Sequence, residues 1–172
     1  GDSGDLFATG GTHSGSFPGD YGKNWINNKI GDVDGILLKL SSETGQFLTG
    51  RYYGSASYDQ SYFVQTDNSG RPYIFGQTEG QLPKINAKYY DGGTGQFITR
   101  FTKDLKDIEL QSTFGANSNL PNISPSAFLV DRCERIFVSG WGGSTNNALY
   151  DVTTGASKTH RNKGNTRNLK VT

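Results

Sequence analysis

Five side chains stand out as able to hold a ligand: Trp25, Tyr58, Asp59, Gln60 and Trp141. Trp141 follows Gly140 and precedes two glycines, which leaves room for an open ring that stacks on a sugar. A tryptophan buried between packed sheets is the commoner use of such a ring. Asp59 and Gln60 stand just before an apolar run, where they serve either a ligand or the cap of a turn. Asp32-Val33-Asp34-Gly35 and Asp67-Asn68-Ser69-Gly70 share part of the spacing of a calcium loop. Both lack the full oxygen set and the closing glutamate. His13 and His160 are too isolated for a zinc site, so neither metal nor cofactor is expected. Gly10-Gly11 and Gly92-Gly93 open no helix and so cradle no phosphate. Cys133 is the single cysteine, with no histidine nearby in sequence, and reads as a structural or incidental thiol. No nucleophile–base–acid set can be drawn, so no catalytic residue is assigned, although carboxylates from distant segments can meet in a fold.

The elements that carry these residues repeat. Asp2–Gly10, Asn68–Gly76 and Arg132–Gly140 align without gaps, each a polar turn, a short strand and a glycine. The closing glycines, Gly10, Gly76 and Gly140, are almost evenly spaced. Gly35-Ile-Leu-Leu-Lys-Leu40 and the run Phe47 to Gly54 match Gln96 to Phe101 and Ile108 to Gly115, one repeat later. Tyr62 to Asp67 likewise matches Ser126 to Asp131. The unit is about 64 residues with four strands, at 62–66, 72–77, 96–101 and 108–114 in its complete copy. Four antiparallel strands per unit, in series, predict β-propeller blades rather than a solenoid, whose repeats are shorter.

Composition agrees with an all-β chain. Glycine supplies 24 of 172 residues without a three-residue period, which excludes collagen. Nine tyrosines, ten phenylalanines and a net charge of +1 argue against disorder. The register predicts a partial blade at 1–54 (strands two to four), a complete blade at 55–115, and at 116–172 strands one and two of another blade plus a long connection. That is about two and a quarter blades, too few to close a ring of four to eight. With no methionine at all, the chain is expected to be an excerpt of a longer polypeptide.

Loop lengths separate two ends of these blades. Short turns at 41–45 and 67–70 mark one end; long segments at 13–33, 79–95 and 142–172, with 55–61 and 116–125, mark the other. Long loops on a rigid scaffold predict the ligand or partner surface there, or the seat of a neighbouring domain. Residues 152–172 carry five basic and no acidic side chains, against a net charge of −4 elsewhere. Without interleaved aromatics this segment reads as a solvated loop, not a nucleic-acid surface.

Tyr58-Asp59-Gln60-Ser61-Tyr62-Phe63-Val64-Gln65, Tyr73-Ile74-Phe75-Gly76-Gln77-Thr78, Asn122 to Asp131 and Ile136 to Gly143 carry a family pattern. The chain resembles the SBBP-type β-propeller repeats of large secreted proteins from Bacteroidetes-type bacteria. The closing segment departs from it, with Lys170 where the earlier copies have Pro18 and Pro83. The resemblance implies an extracellular or cell-surface location and type IX, gliding-motility-associated sorting. Implied partners are further blades of the same or an associated polypeptide, extracellular polysaccharide, or the secretion machinery. The expected role is a non-enzymatic structural, adhesion or recognition module. A lectin-like propeller and part of a polysaccharide-acting enzyme are the alternatives. Glycan binding without turnover marks the first, and release of reducing sugar the second.

Overall fold

The computed structural model describes residues 4–17, 23–90, 92, 95–114 and 124–141, and the backbone of 156–161 and 166–171. Among these residues the chain is all β and has no α-helix. The strands are β1 (Leu6–Thr12), β2 (Asp34–Leu40), β3 (Phe47–Tyr53), β4 (Asp59–Thr66), β5 (Pro72–Thr78), β6 (Gly95–Phe101), β7 (Ile108–Phe114), β8 (Ser124–Val130), β9 (Ile136–Trp141), β10 (Ala156–Arg161) and β11 (Thr166–Val171). They form three open antiparallel sheets, ordered β1-β2-β3, β4-β5-β6-β7 and β8-β9-β11-β10. The sheets stack in series, as successive blades of a β-propeller do. No helix long and apolar enough to cross a membrane occurs among the described residues.

The four strands of the middle sheet lie where the repeat places them, except that β4 begins at Asp59, ahead of the apolar run at Tyr62. A bulge hides the earlier start: Ser61 pairs with Gly76 and Phe63 with Phe75, so Tyr62 has no opposite residue. The extra residue breaks the two-residue alternation by which a strand is read. A second departure falls in the segment read as a long connection and a solvated loop. There β11 pairs with β9, and β10 pairs with β11.

The middle sheet is buried on both faces, and its strands alternate accordingly. Tyr73, Phe75 and Ile98 enter one core with Phe114, Phe128, Val130, Ile136 and Val138 from the middle and third sheets. Ile74, Phe97 and Phe101 enter the other core with Leu37, Tyr53, Leu82 and Leu105. Each ring fully removed from water contributes roughly 2–3 kcal/mol. A strand covered on both faces reads as a continuous apolar run, as Tyr73-Ile74-Phe75 does.

The first-to-second turns show the repeat at atomic detail. Asp67 Oδ1 accepts from the N–H groups of Ser69 (2.8 Å) and Arg71 (3.0 Å), while Oδ2 accepts from Arg71 Nε (2.7 Å). In the next repeat Asp131 accepts from Cys133 N (2.8 Å), Arg135 N (2.9 Å) and Arg135 Nε (2.6 Å). The turn ends in the left-handed region, at Gly70 (φ 74°) and at its counterpart Glu134 (φ 57°).

Candidate ligand-binding surface

The predicted site residues do not converge. Trp25 lies at the edge of the first sheet formed by β3. It makes a parallel bridge to Gly50, and Ile26 N donates to Gly50 O at 2.9 Å. Its ring stacks on Phe17 (4.6 Å between centroids) and packs on Tyr52 (4.4 Å). A Cβ on Gly50 would meet the indole at 3.1 Å, so the glycine gives the ring its seat. Asn27 completes the cover by donating to Tyr52 O (3.0 Å) and accepting from Tyr52 N (2.9 Å).

The long loop of the middle sheet does the same. Ile85 bridges Gln111, the repeat counterpart of Gly50, with N–H···O contacts of 3.1 and 2.8 Å. Both long loops therefore fold back onto the last strand of their own sheet and cover its unpaired edge. At Trp25 and Ile85 these loops protect a sheet edge. The loop at 116–125 falls almost wholly outside the described residues, as does 142–155.

Tyr58, Asp59 and Gln60 are brought together at the start of β4, on opposite sides of the strand. Asp59 has no exposed surface and points between the sheets. Its Oδ2 accepts from Ser55 N (2.6 Å) and Ser55 Oγ (2.8 Å), closing the turn that leads into β4. Its own N–H donates to Val33 O (2.8 Å), in the loop just before β2. A Cβ on Gly54 would lie 2.7–2.8 Å from the Asp59 side chain, so only glycine leaves room for it. Burial pushes the Asp59 carboxyl above the usual range, against bonds from Thr78 and Ser55, and the charge of Asp34 adds to the rise. Asp34 is equally buried and caps its own loop, accepting from Ile30 N (2.8 Å) and Gly31 N (2.7 Å). Two neighbouring carboxylates, one with a raised pKa, suggest acid–base work. Both are sealed from solvent; Asp34 spends both oxygens on backbone N–H groups, whereas Asp59 caps with Oδ2 alone and its buried Oδ1 has no hydrogen-bond partner among the described residues.

Tyr58 and Gln60 are half-buried, and the Tyr58 hydroxyl donates to Gln60 Oε1. Gln60 lies over Gly11 of β1, where a Cβ would approach it to 3.0 Å. Next to them the bulged Tyr62 stays 40% exposed and donates to Gln77 Oε1 at 2.7 Å. Burial, with Tyr58 beside it, pushes the Tyr62 hydroxyl up to about 12. Tyr58, Gln60, Tyr62 and Gln77 form a strip of phenols and amides along β4 and β5. Tyr62 and Gln77 belong to this strip although sequence reading passed over them; the signal was the tyrosine spacing around Gln60. Trp141 ends β9 with its backbone opposite Ser124 and Thr166, and its side chain lies outside the described residues.

Sequence reading also missed an ion-pair cluster at the other end of the sheets. Arg71 pairs with Asp67 (2.7 Å), Glu109 (3.4 Å) and Glu134 (2.8 Å). Arg100 pairs with Glu109 (3.1 Å) and Glu134 (3.0 Å) and donates to the Tyr73 hydroxyl (3.0 Å). Burial opposes ionisation of Asp67, but the N–H and guanidinium of Arg71 hold its carboxyl below the usual range. The legible signal was the doubled Asp-x-x-x-Arg spacing at Asp67 and Asp131. Asp34 and Asp67, both considered above as parts of calcium loops, are thus engaged by backbone N–H groups and, for Asp67, an arginine. Among the described residues no three His, Cys, Asp or Glu side chains are grouped to hold a metal. No protein-family model matches the chain, and no curated protein sequence matches it either.

Proposed function

We propose that this chain is a run of SBBP-type blades in a secreted or cell-surface β-propeller that acts as a structural, adhesion or recognition module without chemistry of its own. The supporting observation is the use made of the reactive side chains. Asp34, Asp59, Asp67, Arg71 and Arg100 cap turns or join sheets. Partners are then further blades of the same or an associated polypeptide, extracellular polysaccharide or the secretion machinery. The phenol–amide strip at Tyr58, Gln60, Tyr62 and Gln77 favours a second, lectin-like reading, since an exposed tyrosine beside half-buried phenol and amide groups suits sugar hydroxyls.

A glycan array combined with a reducing-sugar assay separates these readings. Binding lost in Tyr62→Ala and Gln60→Ala, without sugar release, supports the lectin. Sugar release by the wild-type chain overturns the non-enzymatic proposal. Absence of both leaves the scaffold, which then predicts retention of the protein at the cell surface.

A further inference from the structure

The β10–β11 hairpin holds charges that its own sheet does not balance. Lys158 and Arg161 lie on β10, with His160 between them, and Arg167 and Lys170 lie on β11. In the antiparallel register Lys158 is paired with Lys170 and Arg161 with Arg167. Directly opposed residues stand about 5 Å apart across such a ladder. Like charges placed opposite each other destabilise the pairing. No acid in register offsets them. On its other side β11 meets β9, where Lys170 is paired with Phe137 and Arg167 with Gly140. The strands β8 to β11 contain no aspartate or glutamate. The carboxylates of the β8–β9 turn are taken, Asp131 by Arg135 and Glu134 by Arg71 and Arg100.

Charged residues often blunt the outermost strand of a sheet, and β10 is outermost here. That use accounts for Lys158 and Arg161 alone. Arg167 and Lys170 stand on the inner strand, where a second row of the same charge works against the sheet. The two pairs are about 10 Å apart along the strands and, by the alternation of a strand, fall on opposite faces. A flexible polymer laid along the outer edge meets both faces, and a small anion does not. Lys163, between the two strands in sequence, adds to the same sign, while residues 1–151 are net negative.

We infer that the β10–β11 hairpin is a binding surface for an acidic polysaccharide, a linear sugar polymer bearing carboxylate or sulfate groups. Such a polyanion relieves both like-charged pairs and releases its own counterions on binding. A single-stranded nucleic acid also carries negative charge, but it draws affinity from bases stacked on aromatic side chains, and β10 and β11 have none. The inference deepens the adhesion reading above and rests on it for the presence of polysaccharide.

The test uses the whole chain with fluorescein-labelled oligosaccharides of alginate and chondroitin sulfate, neutral dextran, and a single-stranded oligothymidylate. Fluorescence anisotropy reads affinity, and amide hydrogen exchange locates the ligand. Saturable binding to an acidic oligosaccharide is expected, with none to dextran and new protection confined to β10 and β11. Affinity is expected to fall at least about tenfold between about 50 and 200 mM salt. Lys158→Glu combined with Arg161→Glu turns both like-charged pairs into opposite ones. It is expected to weaken binding at least about tenfold while raising the melting temperature, a combination that loss of folding cannot produce. Lys158→Gln combined with Arg161→Gln removes charge without adding any and is expected to weaken binding less. Four results overturn the inference: equal affinity in wild type and either variant, protection located elsewhere, oligothymidylate bound as tightly as the acidic sugars, or no binding of those sugars up to about 1 mM. Glycan-array binding that is lost in Tyr62→Ala, without binding of alginate or chondroitin sulfate, overturns the inference and leaves the adhesion reading standing.

Discussion

Glu134 Oε2 stands 3.0 Å from Arg100 Nη1, which ties the turn before β9 in the third sheet to β6 of the middle sheet. The carboxylate reaches that position from a backbone at φ 57°, where the preceding repeat has Gly70. A strained residue is kept where its side chain joins two sheets. Glu134→Ala loses the ion pairs and keeps the strain, whereas Glu134→Gly loses the pairs and releases it. Urea unfolding is expected to find Glu134→Gly more stable than Glu134→Ala by about 1 kcal/mol.

Gly76 and Gly10 are repeat counterparts with opposite surroundings. Gly76→Ala forces a methyl to within 2.1 Å of Gln60 O and 2.6 Å of Phe97 Cζ. It is expected to cost about 2–4 kcal/mol, as overpacking against backbone does. Gly10→Ala is expected to change stability by less than about 0.5 kcal/mol. The difference in denaturation midpoint between the two variants is the measurement.

Tyr53 joins the first and middle sheets through its hydroxyl, which accepts from Thr99 Oγ1 (2.6 Å) and donates to Gln111 Oε1 (2.9 Å). Burial drives its pKa upward, so the phenol stays protonated and keeps donating. Tyr53→Phe leaves two buried polar atoms without these bonds and is expected to cost about 1–3 kcal/mol. Tyr53→Phe combined with Thr99→Val is expected to recover part of that loss in a double-mutant cycle.

Asp59 and Asp67 bend the pH profile in opposite directions. Asp59 has a folded pKa raised above 3.8, so the folded state holds its proton more tightly, and stability falls as pH rises from about 4 toward that raised value. Asp67 has a folded pKa below 3.8, so its contribution is present above that value and is lost as pH falls through the lowered one. Thermal melting across this acid range is expected to lose the falling limb in Asp59→Asn. The acid-side loss is expected to shrink in Asp67→Asn. Unchanged profiles in both variants contradict these assignments.

Strand positions and the repeat were legible in the residues because they depend on local chemistry. Asp67 and Asp131 announce their turns through the arginine that closes each one, and Tyr73-Ile74-Phe75 announces a strand covered on both faces. The start of β4 was not legible, because the bulge at Tyr62 sets two faces of one strand out of step. The strands β10 and β11 were missed because their polar, basic runs lack the apolar alternation that marks a strand.

The candidate site was less legible, for a different reason. Residue type marked Trp25, Tyr58, Asp59 and Gln60 as able to bind. Their use depends on partners far away in the chain: Gly50 beneath Trp25, Gly11 beneath Gln60, Val33 O on the Asp59 N–H. The sequence by itself determined an all-β chain of repeated four-stranded units and the turns between them. Only the tertiary structure decided which polar groups are sealed between sheets and which edge each long loop covers. Burial and edge pairing arise when separate sheets meet, and no local run of residues encodes them alone.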